Sequence, residues 1–223
     1  MSEHLIRAIE KLKSKLLKLC SLVEDRLFRA VQALHKLDKK AAREVIDGDA
    51  LVDNMEVDVE EECLKILALY QPVAIDLRFI ITALKINNDL ERIGDLAVNI
   101  AERCESLAQH AEDVHIPFDF ETMAEKTRAM VRGSIDALIR MDVTAAHKVL
   151  LADDEIDALN RSMFEKARAL LEQSPEVADD MIQFLSVSRH LERIGDHATN
   201  IAEDVIYMAQ GQIVRHHPES LNG

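Results

Sequence analysis

Residues that build sheets and tight turns are scarce in this sequence. Its 223 residues include no tryptophan, six glycines and four prolines, and aromatic side chains make up only 4% of them. Strands are rich in aromatic residues, and turns are rich in glycine and proline. The composition therefore favours helix over sheet, while an apolar content of 48% is enough to build cores.

Long apolar runs are also missing. Charged residues interrupt every apolar stretch well before the roughly 18 residues that a membrane-spanning helix needs. The first residues, Met1 to His4, do not show the pattern of a signal peptide. The sequence therefore predicts a soluble, cytoplasmic protein that would meet a membrane only through its partners.

Positive charge is in short supply as well. The chain has 27 Lys and Arg against 41 Asp and Glu, which gives a net charge of −14. A surface this acidic repels the phosphates of DNA and RNA, so we expect no nucleic acid among its partners. It suits cations, or a protein partner with a basic patch.

The three cysteines, Cys20, Cys63 and Cys104, are odd in number, far apart and without a CxxC spacing. Such a set does not indicate a disulfide framework or a zinc site. We expect reduced thiols.

The most informative feature of the sequence is a segment that occurs twice. Residues 90–102 read LERIGDLAVNIAE and residues 191–203 read LERIGDHATNIAE, with 11 of 13 positions identical at an offset of 101. This exceeds what amphipathic helices share by chance and indicates an internal duplication into halves of about 100 residues. Each copy holds a glycine inside a helical pattern, at Gly94 and Gly195, where we expect a close packing partner.

Apolar periodicity and capping signals predict a series of helices. In the first half these are residues 2–36, 39–47, 50–70 and 74–111. A break at 114–119 follows, and then residues 120–140, a short helix after Asp142, residues 153–173 and a last helix from Pro175 to Gly211. We expect one unit at 1–113, a second at 119–211 and a frayed tail at 212–223.

Acidic residues one helical turn apart recur at duplicated positions. The four pairs are Asp49/Asp53, Glu91/Asp95, Asp153/Asp157 and Glu192/Asp196. A single pair of this kind is usually a solvated helix face. Four pairs in register favour a cation site as much as a solvated face, because clustered carboxylates suit hard or borderline cations. Antiparallel packing of neighbouring helices could bring four carboxylates together in each half.

Other polar residues near these pairs allow more than one interpretation. Asn99 and Asn200 extend the acidic stripe by one turn. Arg92 and Arg193 are explained by ion pairs with Asp95 and Asp196 as well as by any ligand role. His190 and His197 flank the second segment but lie off its acidic face, and packing roles explain them better than ligation.

The main enzymatic alternative is a ferritin-like di-iron bundle, which takes Glu-x-x-His from each of two helices. The single such spacing is Glu112 to His115, at a helix end before Pro117. No P-loop, nucleotide fingerprint or nucleophile elbow occurs. The sequence therefore gives only weak support for an oxidase.

The twin LERIGD segments resemble those of the PhoU family, the accessory and regulatory proteins of bacterial phosphate-specific transport. Also similar are the turn at residues 71–78, which reads QPVAIDLR, and the segments Leu37-Asp38 and Met141-Asp142. The resemblance covers about residues 5–211. It implies an all-α fold of two tandem, pseudo-symmetric three-helix bundles, each with long antiparallel helices and a short extra helix.

The resemblance also implies multinuclear clusters of iron or zinc on the bundle surface, held by E(D)xxxD motifs. In this sequence the motifs fall on Asp49, Asp53, Glu91 and Asp95, and on Asp153, Asp157, Glu192 and Asp196. Asp154, beside Asp153, leaves one ligand position open.

Members of the family are not enzymes, so the resemblance implies that this chain is a regulatory protein without catalytic activity. The resemblance implies negative regulation of the phosphate-starvation response and of phosphate uptake. The implied partners are the ATPase of the phosphate ABC transporter and a membrane-bound sensor histidine kinase, and a homodimer is the expected assembly. Two alternatives stay open on the residues alone: a metal-buffering helical bundle, and a structural interaction module whose carboxylates only aid solubility.

Overall fold

The computed structural model describes residues 3–110 and 114–210, and within them the chain is helical apart from short connections, with no strand. The seven helices are α1 Glu3–Lys36, α2 Lys39–Asp47, α3 Ala50–Tyr70, α4 Ala74–Leu107, α5 Phe120–Arg140, α6 Val143–Gln173 and α7 Ala178–Gln210. Short 3-10 turns at Ala108–His110 and Pro175–Val177 follow α4 and precede α7. The all-α fold class is therefore confirmed.

Local signals account for several helix ends. The side chains of Asp38, Asp119 and Asp142 each accept a hydrogen bond from the backbone N–H three residues on, as N-cap residues do. Gln71 and Met141 end α3 and α5 in the left-handed conformation.

One predicted break is absent. A short helix after Asp142 and a separate helix from 153 were expected, but α6 runs through both without interruption. In the first half, α2 and α3 do separate, at Gly48 and Asp49. The residue that aligns with Gly48 at an offset of 104 is Ala152, which favours helix continuation. The remaining expected regions, 111–113 and the tail 212–223, lie outside the described residues, and so does Glu112 of the di-iron alternative.

Each half is a bundle of three long helices around apolar side chains. In the first half α1, α3 and α4 pack together with α2 against one end, and in the second half α5, α6 and α7 do so. The first half holds Cys20, Cys63 and Cys104, one on each long helix, and all three are buried. None of the cysteines of the chain lies in the second half.

The glycine of each repeated segment lies where two helices approach closely. A Cβ atom on Gly94 would lie 3.1 Å from Cγ1 of Val52 on α3. A Cβ atom on Gly195 would lie 3.4 Å from the Asp153 carboxylate and 3.6 Å from Ile156 on α6. The expected close packing at both glycines is confirmed.

The two halves join through equivalent helices that run antiparallel. Between α1 and α5, Gln32 bonds to Glu121 at 2.9 Å, and Arg132 lies 3.6 Å from Glu24. The helices α4 and α7 pair in the same sense, and buried residues from both halves form one continuous core. Since α1 pairs with α5 and α4 with α7, an approximate two-fold axis relates the halves.

Polar contacts cross the interface between α4 and α7. His197 Nδ1 lies 2.8 Å from Asp89 Oδ1, and Arg103 donates to Gln183 at 3.3 Å. His197 thus ties the halves together. Among the helices within 3–110 and 114–210, none is both long and apolar enough to cross a bilayer.

Candidate functional site

The first acidic cluster lies where the start of α3 meets the middle of α4. Asp49 immediately precedes α3, and Asp53 lies in the first turn of that helix. Glu91 and Asp95 lie one turn apart on α4. Burial is the main cause that raises the pKa of Asp49, and the charges of Asp53 and Asp95 raise it further. Burial is also the largest cause of the raised pKa of Glu91, and the charges of Asp95 and Asp53 raise it further. The structure thus brings the four predicted residues within electrostatic reach of one another.

A buried arginine supplies positive charge to this first cluster. Arg26 of α1 is only 4% exposed, and its guanidinium lies 3.3 Å from Oδ1 of Asp49. It also donates hydrogen bonds to the carbonyl oxygens of Val45 and of Gly48, the latter at 2.8 Å. Its charge opposes the rise in the pKa of Asp49 that burial causes. The carbonyl oxygens of Val45 and Gly48 at the end of α2 and the carboxylate of Asp49 therefore share one cation.

A second arginine lies on the outer side of the cluster. Arg92 is 3.5 Å from Asp95 and 3.6 Å from Glu91, and its side chain is exposed. Of the two roles left open for Arg92, the structure shows the ion pair with Asp95. Exposed pairs of this kind contribute little to stability, typically under about 1 kcal/mol.

The second acidic cluster combines α6 and α7 in the same way. Burial raises the pKa of Asp153 to about 6, and the charges of Asp196, Asp157, Asp154 and Glu192 all raise it further. Burial is also the largest cause of the raised pKa of Glu192 and of Asp196, followed by neighbouring carboxylates. Like charges held close together in this way are unfavourable until a proton or a cation compensates them.

Positive charge is sparser around this second cluster. Asp157 pairs with Arg161 at 3.3 Å along α6. Within 3–110 and 114–210, neither Asp153 nor Glu192 has a cationic side chain within ion-pair distance. Asp153 packs against Gly195, and its Oδ1 would lie in van der Waals contact, at 3.4 Å, with a Cβ atom there.

The remaining candidates lie at the margins of the clusters. Asn99 and Asn200 are half-buried one turn beyond Asp95 and Asp196, and Asp154 is exposed beside the half-buried Asp153. His190 is half-buried, and its pKa falls to about 4 because of burial and the charges of nearby arginines. The imidazole is therefore neutral at ordinary pH.

The residues of the two clusters differ in how well they fit a metal ion. With the side chains as placed, no group of three or more His, Cys, Asp or Glu among the described residues converges in ligating geometry. The all-oxygen donor set nevertheless suits a hard or borderline cation. In the second cluster, four neighbouring carboxylates surround Asp153, and no cationic side chain of the described residues lies within ion-pair distance of it. In the first, the Arg26 guanidinium already lies 3.3 Å from Asp49 Oδ1.

Two residues near the first cluster escaped the sequence analysis. In the sequence, Arg26 looks like one more charged residue on a long amphipathic helix. The residue that aligns with it in the second repeat, Met130, is apolar and buried. Glu56 accepts a hydrogen bond from the buried Asn87 at 2.9 Å, and its charge adds to the rise in the pKa of Glu91. A position that is charged in one repeat and apolar in the other is the signal that could have revealed Arg26.

Comparison with known families gives a match over both halves. The model of the PhoU domain matches residues 16–104 and again residues 120–205. The chain is 38% identical to a phosphate-specific transport system accessory protein PhoU homolog of Aquifex aeolicus, over 95% of this chain and 96% of that protein. It is 31% identical to the Escherichia coli K12 protein PhoU, over 93% of this chain and 86% of that one.

Solved structures agree with the sequence relatives. The crystal structure of PhoU from Pseudomonas aeruginosa superposes with a TM-score of 0.85 at 35% identity, covering 92% of this chain and 99% of that one. The phosphate transport system regulatory protein PhoU from Streptococcus pneumoniae gives a TM-score of 0.87 at 26% identity, covering 94% of this chain and 99% of that one.

Proposed function

Because the chain belongs to the PhoU family, we propose that it is an accessory and regulatory protein of phosphate-specific transport. In this role it represses the phosphate-starvation response and restrains phosphate uptake while phosphate is plentiful. The observation that carries the proposal is the match to PhoU proteins over both repeats and nearly the full length of the chain. The chain acts by binding other proteins and not as an enzyme.

The proposed partners are the ATPase of the phosphate ABC transporter and a membrane-bound sensor histidine kinase. An acidic surface of long helices offers extended faces for partners with basic patches. We further propose that the chain works in the cytoplasm as a homodimer, and that it reaches the membrane through these partners.

The acidic clusters provide a way to regulate these contacts. Iron or zinc would be held by carboxylates of the two clusters, with Asn99, Asn200 and Asp154 as additional candidates. A bound cation weakens or inverts the local negative field, so the affinity for a partner would depend on metal. The chain's own contribution is to hold the carboxylates of two helices side by side.

Repression is tested by complementation. A strain that lacks this protein and carries a reporter of the starvation response is supplied with the wild type or with E91Q/D95N/E192Q/D196N. We expect the wild type to silence the reporter in phosphate-rich medium and the variant to leave it partly active. The matched control is E10Q/E165Q/E172Q/E176Q, which removes as many exposed carboxylates outside the clusters. A reporter that stays silent without the protein would contradict the regulatory role.

Metal content separates this proposal from metal buffering. Elemental analysis of protein purified without chelator is expected to give a few ions of iron or zinc per chain, and fewer in the cluster variant with the same helicity. Many ions per chain would favour storage. Partner affinity that is unchanged in the cluster variant would show that the carboxylates do not regulate binding.

A further inference from the structure

A cleft of about 490 Å³ opens between α1 and α5, where these helices join the two halves. Four residues of α1 line it, together with the four residues of α5 that align with them at an offset of 104. The cleft therefore lies on the approximate two-fold axis that relates the halves. Its volume is in the range of ligand-binding pockets, which is about 300–1,000 Å³.

The aligned residues of the cleft differ in chemistry, so the cleft is not symmetric. Glu24 aligns with Arg128, and its carboxylate lies 3.6 Å from Arg132. Arg132 aligns with Phe28, and the guanidinium of Arg128 lies over the Phe28 ring, 5.3 Å from its centroid. An ion pair on one side of the axis thus corresponds to a cation–π contact on the other.

Both arginines of the cleft are already engaged by neighbours on α1 and α5. Burial raises the pKa of Glu24, whose side chain is only 18% exposed, and the charges of Arg132 and Arg128 oppose that rise. Arg132 also lies 3.5 Å from Asp136, one turn along α5. The two guanidiniums are therefore held by groups of the chain itself.

Two further carboxylates, at the rim of the cleft, have no such partner. Asp25 aligns with Ala129, and Glu125 aligns with a serine, so neither acid has a base at the matched position. Both side chains are exposed, and in the described part of the chain neither lies within ion-pair distance of a cationic side chain. With three acids and two arginines in its lining, the cleft has an excess of negative charge.

Phe28 gives the cleft an apolar surface, since 45% of this residue is exposed. An exposed aromatic ring beside unpaired carboxylates fits a protein segment that carries arginine or lysine next to an apolar side chain. A bilayer of anionic lipids does not fit, because the carboxylates repel it. A second copy of the chain, with its net charge of −14, would bring more negative charge to the site.

We propose that this cleft is the docking site for a basic, amphipathic segment of a partner protein. The arginine or lysine of that segment pairs with Asp25 and Glu125, and its apolar side chain packs on Phe28. This rests on the proposed action through protein partners and names the surface that such a partner contacts. Because both halves line the cleft, docking requires the two repeats to be joined as they are here.

The first test uses a short, fluorescently labelled amphipathic peptide of leucine and arginine, and the same peptide with glutamate in place of arginine. Fluorescence anisotropy measures their binding to the wild type, F28A and D25N/E125Q. We expect the wild type to bind the arginine peptide and not the glutamate peptide. Each variant should weaken binding of the arginine peptide about tenfold or more.

Two control variants leave the cleft intact. F164A removes a phenylalanine of α6 that is as exposed as Phe28, at 45%. E165Q/E176Q removes two exposed carboxylates of the second half. Both should bind the arginine peptide as the wild type does. Circular dichroism shows that each variant is folded.

The second test uses the proposed partners, the purified transporter ATPase and the cytoplasmic part of the sensor kinase. Calorimetry measures the affinity of each for the wild type, the cleft variants F28A and D25N/E125Q, and the controls. We expect at least one partner to lose affinity about tenfold or more in the cleft variants alone.

The results that would overturn the docking site are separate from those that would overturn the regulatory function. A partner that binds the wild type and the cleft variants equally would remove the cleft and leave the function intact, as would equal loss of peptide binding in cleft and control variants. If neither partner binds the wild type, the proposed contacts fail, and the peptide measurements still decide on the cleft.

Two further results would identify a different occupant and so overturn the proposal. Sedimentation that shows a dimer of the wild type and a monomer of F28A would place a second copy in the cleft. Vesicles of anionic lipid that bind the wild type but not F28A would place a membrane surface there.

Discussion

At the scale of single residues, Asp153 concentrates the electrostatic cost of the second cluster. Its pKa rises from 3.8 to about 6, because burial and four neighbouring carboxylates disfavour its charge. An acid whose pKa is higher in the folded state binds more protons there, so its contribution to stability is lost as the pH rises. The loss develops between about pH 4 and 6 and is complete above that range.

We therefore expect D153N to stabilise the metal-free protein at pH 8. The gain in free energy of unfolding should be about 1 kcal/mol, once solvent screening of a half-exposed group is allowed for. The gain should shrink as the pH falls from 6 towards 4. Urea unfolding in the presence of chelator, followed by circular dichroism at several pH values, measures it.

The neighbouring D154N serves as the matched control, since Asp154 is exposed and its substitution should change stability much less. A D153N protein that is less stable than the wild type at pH 8 would contradict the electrostatic account of this cluster.

At the scale of helices, the two repeated glycines pack against different neighbours. At Gly94 a Cβ atom would meet the buried, branched side chain of Val52 at 3.1 Å, whereas at Gly195 the Asp153 carboxylate would lie 3.4 Å away. Overpacking costs about 1–3 kcal/mol, and alanine in place of glycine returns about 1 kcal/mol of helix propensity. The net effect of a glycine-to-alanine substitution on stability should therefore differ between the halves.

We expect G94A to lower the free energy of unfolding by about 1 kcal/mol and G195A to leave it nearly unchanged. Combining G94A with V52A should relieve the crowding, so that the double variant is more stable than the sum of the two single effects predicts. Equilibrium unfolding of the four proteins completes the cycle. If the effects of G94A and V52A simply add, Val52 does not crowd the new methyl group, because α3 can move away from α4.

Helix boundaries followed from the sequence wherever a side chain or a left-handed residue sets them locally. Asp142 caps the helix that was expected after it, and Asp38 and Asp119 cap helices that begin where the sequence predicted, at residues 39 and 120. The continuous α6 could not be foreseen from the repeat alone, since alignment with α2 and α3 suggested a break. The break in the first half depends on Gly48 together with the distant Arg26, which is a tertiary interaction.

At the scale of the whole molecule, the duplication could be recognised in the sequence, because it fixes both the helix order and the position of the carboxylates. How the two halves pack against each other could not be predicted from it. Equivalent helices of the two halves pair with each other, and contacts such as His197 with Asp89 arise between residues that are not repeat mates. An amphipathic pattern identifies an apolar face but not the helix that covers it.

The distribution of cysteine has a consequence for how the opening of the molecule can be observed. Burial raises the pKa of Cys20, Cys63 and Cys104 to about 12, so each thiol reacts with an alkylating reagent only when its helix becomes exposed. All three report on the first half alone, without any introduced label.

Because the halves share one core, we expect the three thiols to become reactive together as urea rises, at the midpoint at which helix is lost. Mass spectrometry of alkylated protein across a urea series, compared with circular dichroism, tests this. Alkylation that precedes the loss of helix would mean that the first half opens on its own while the second stays folded, and the natural protein would then contain two separable folding units.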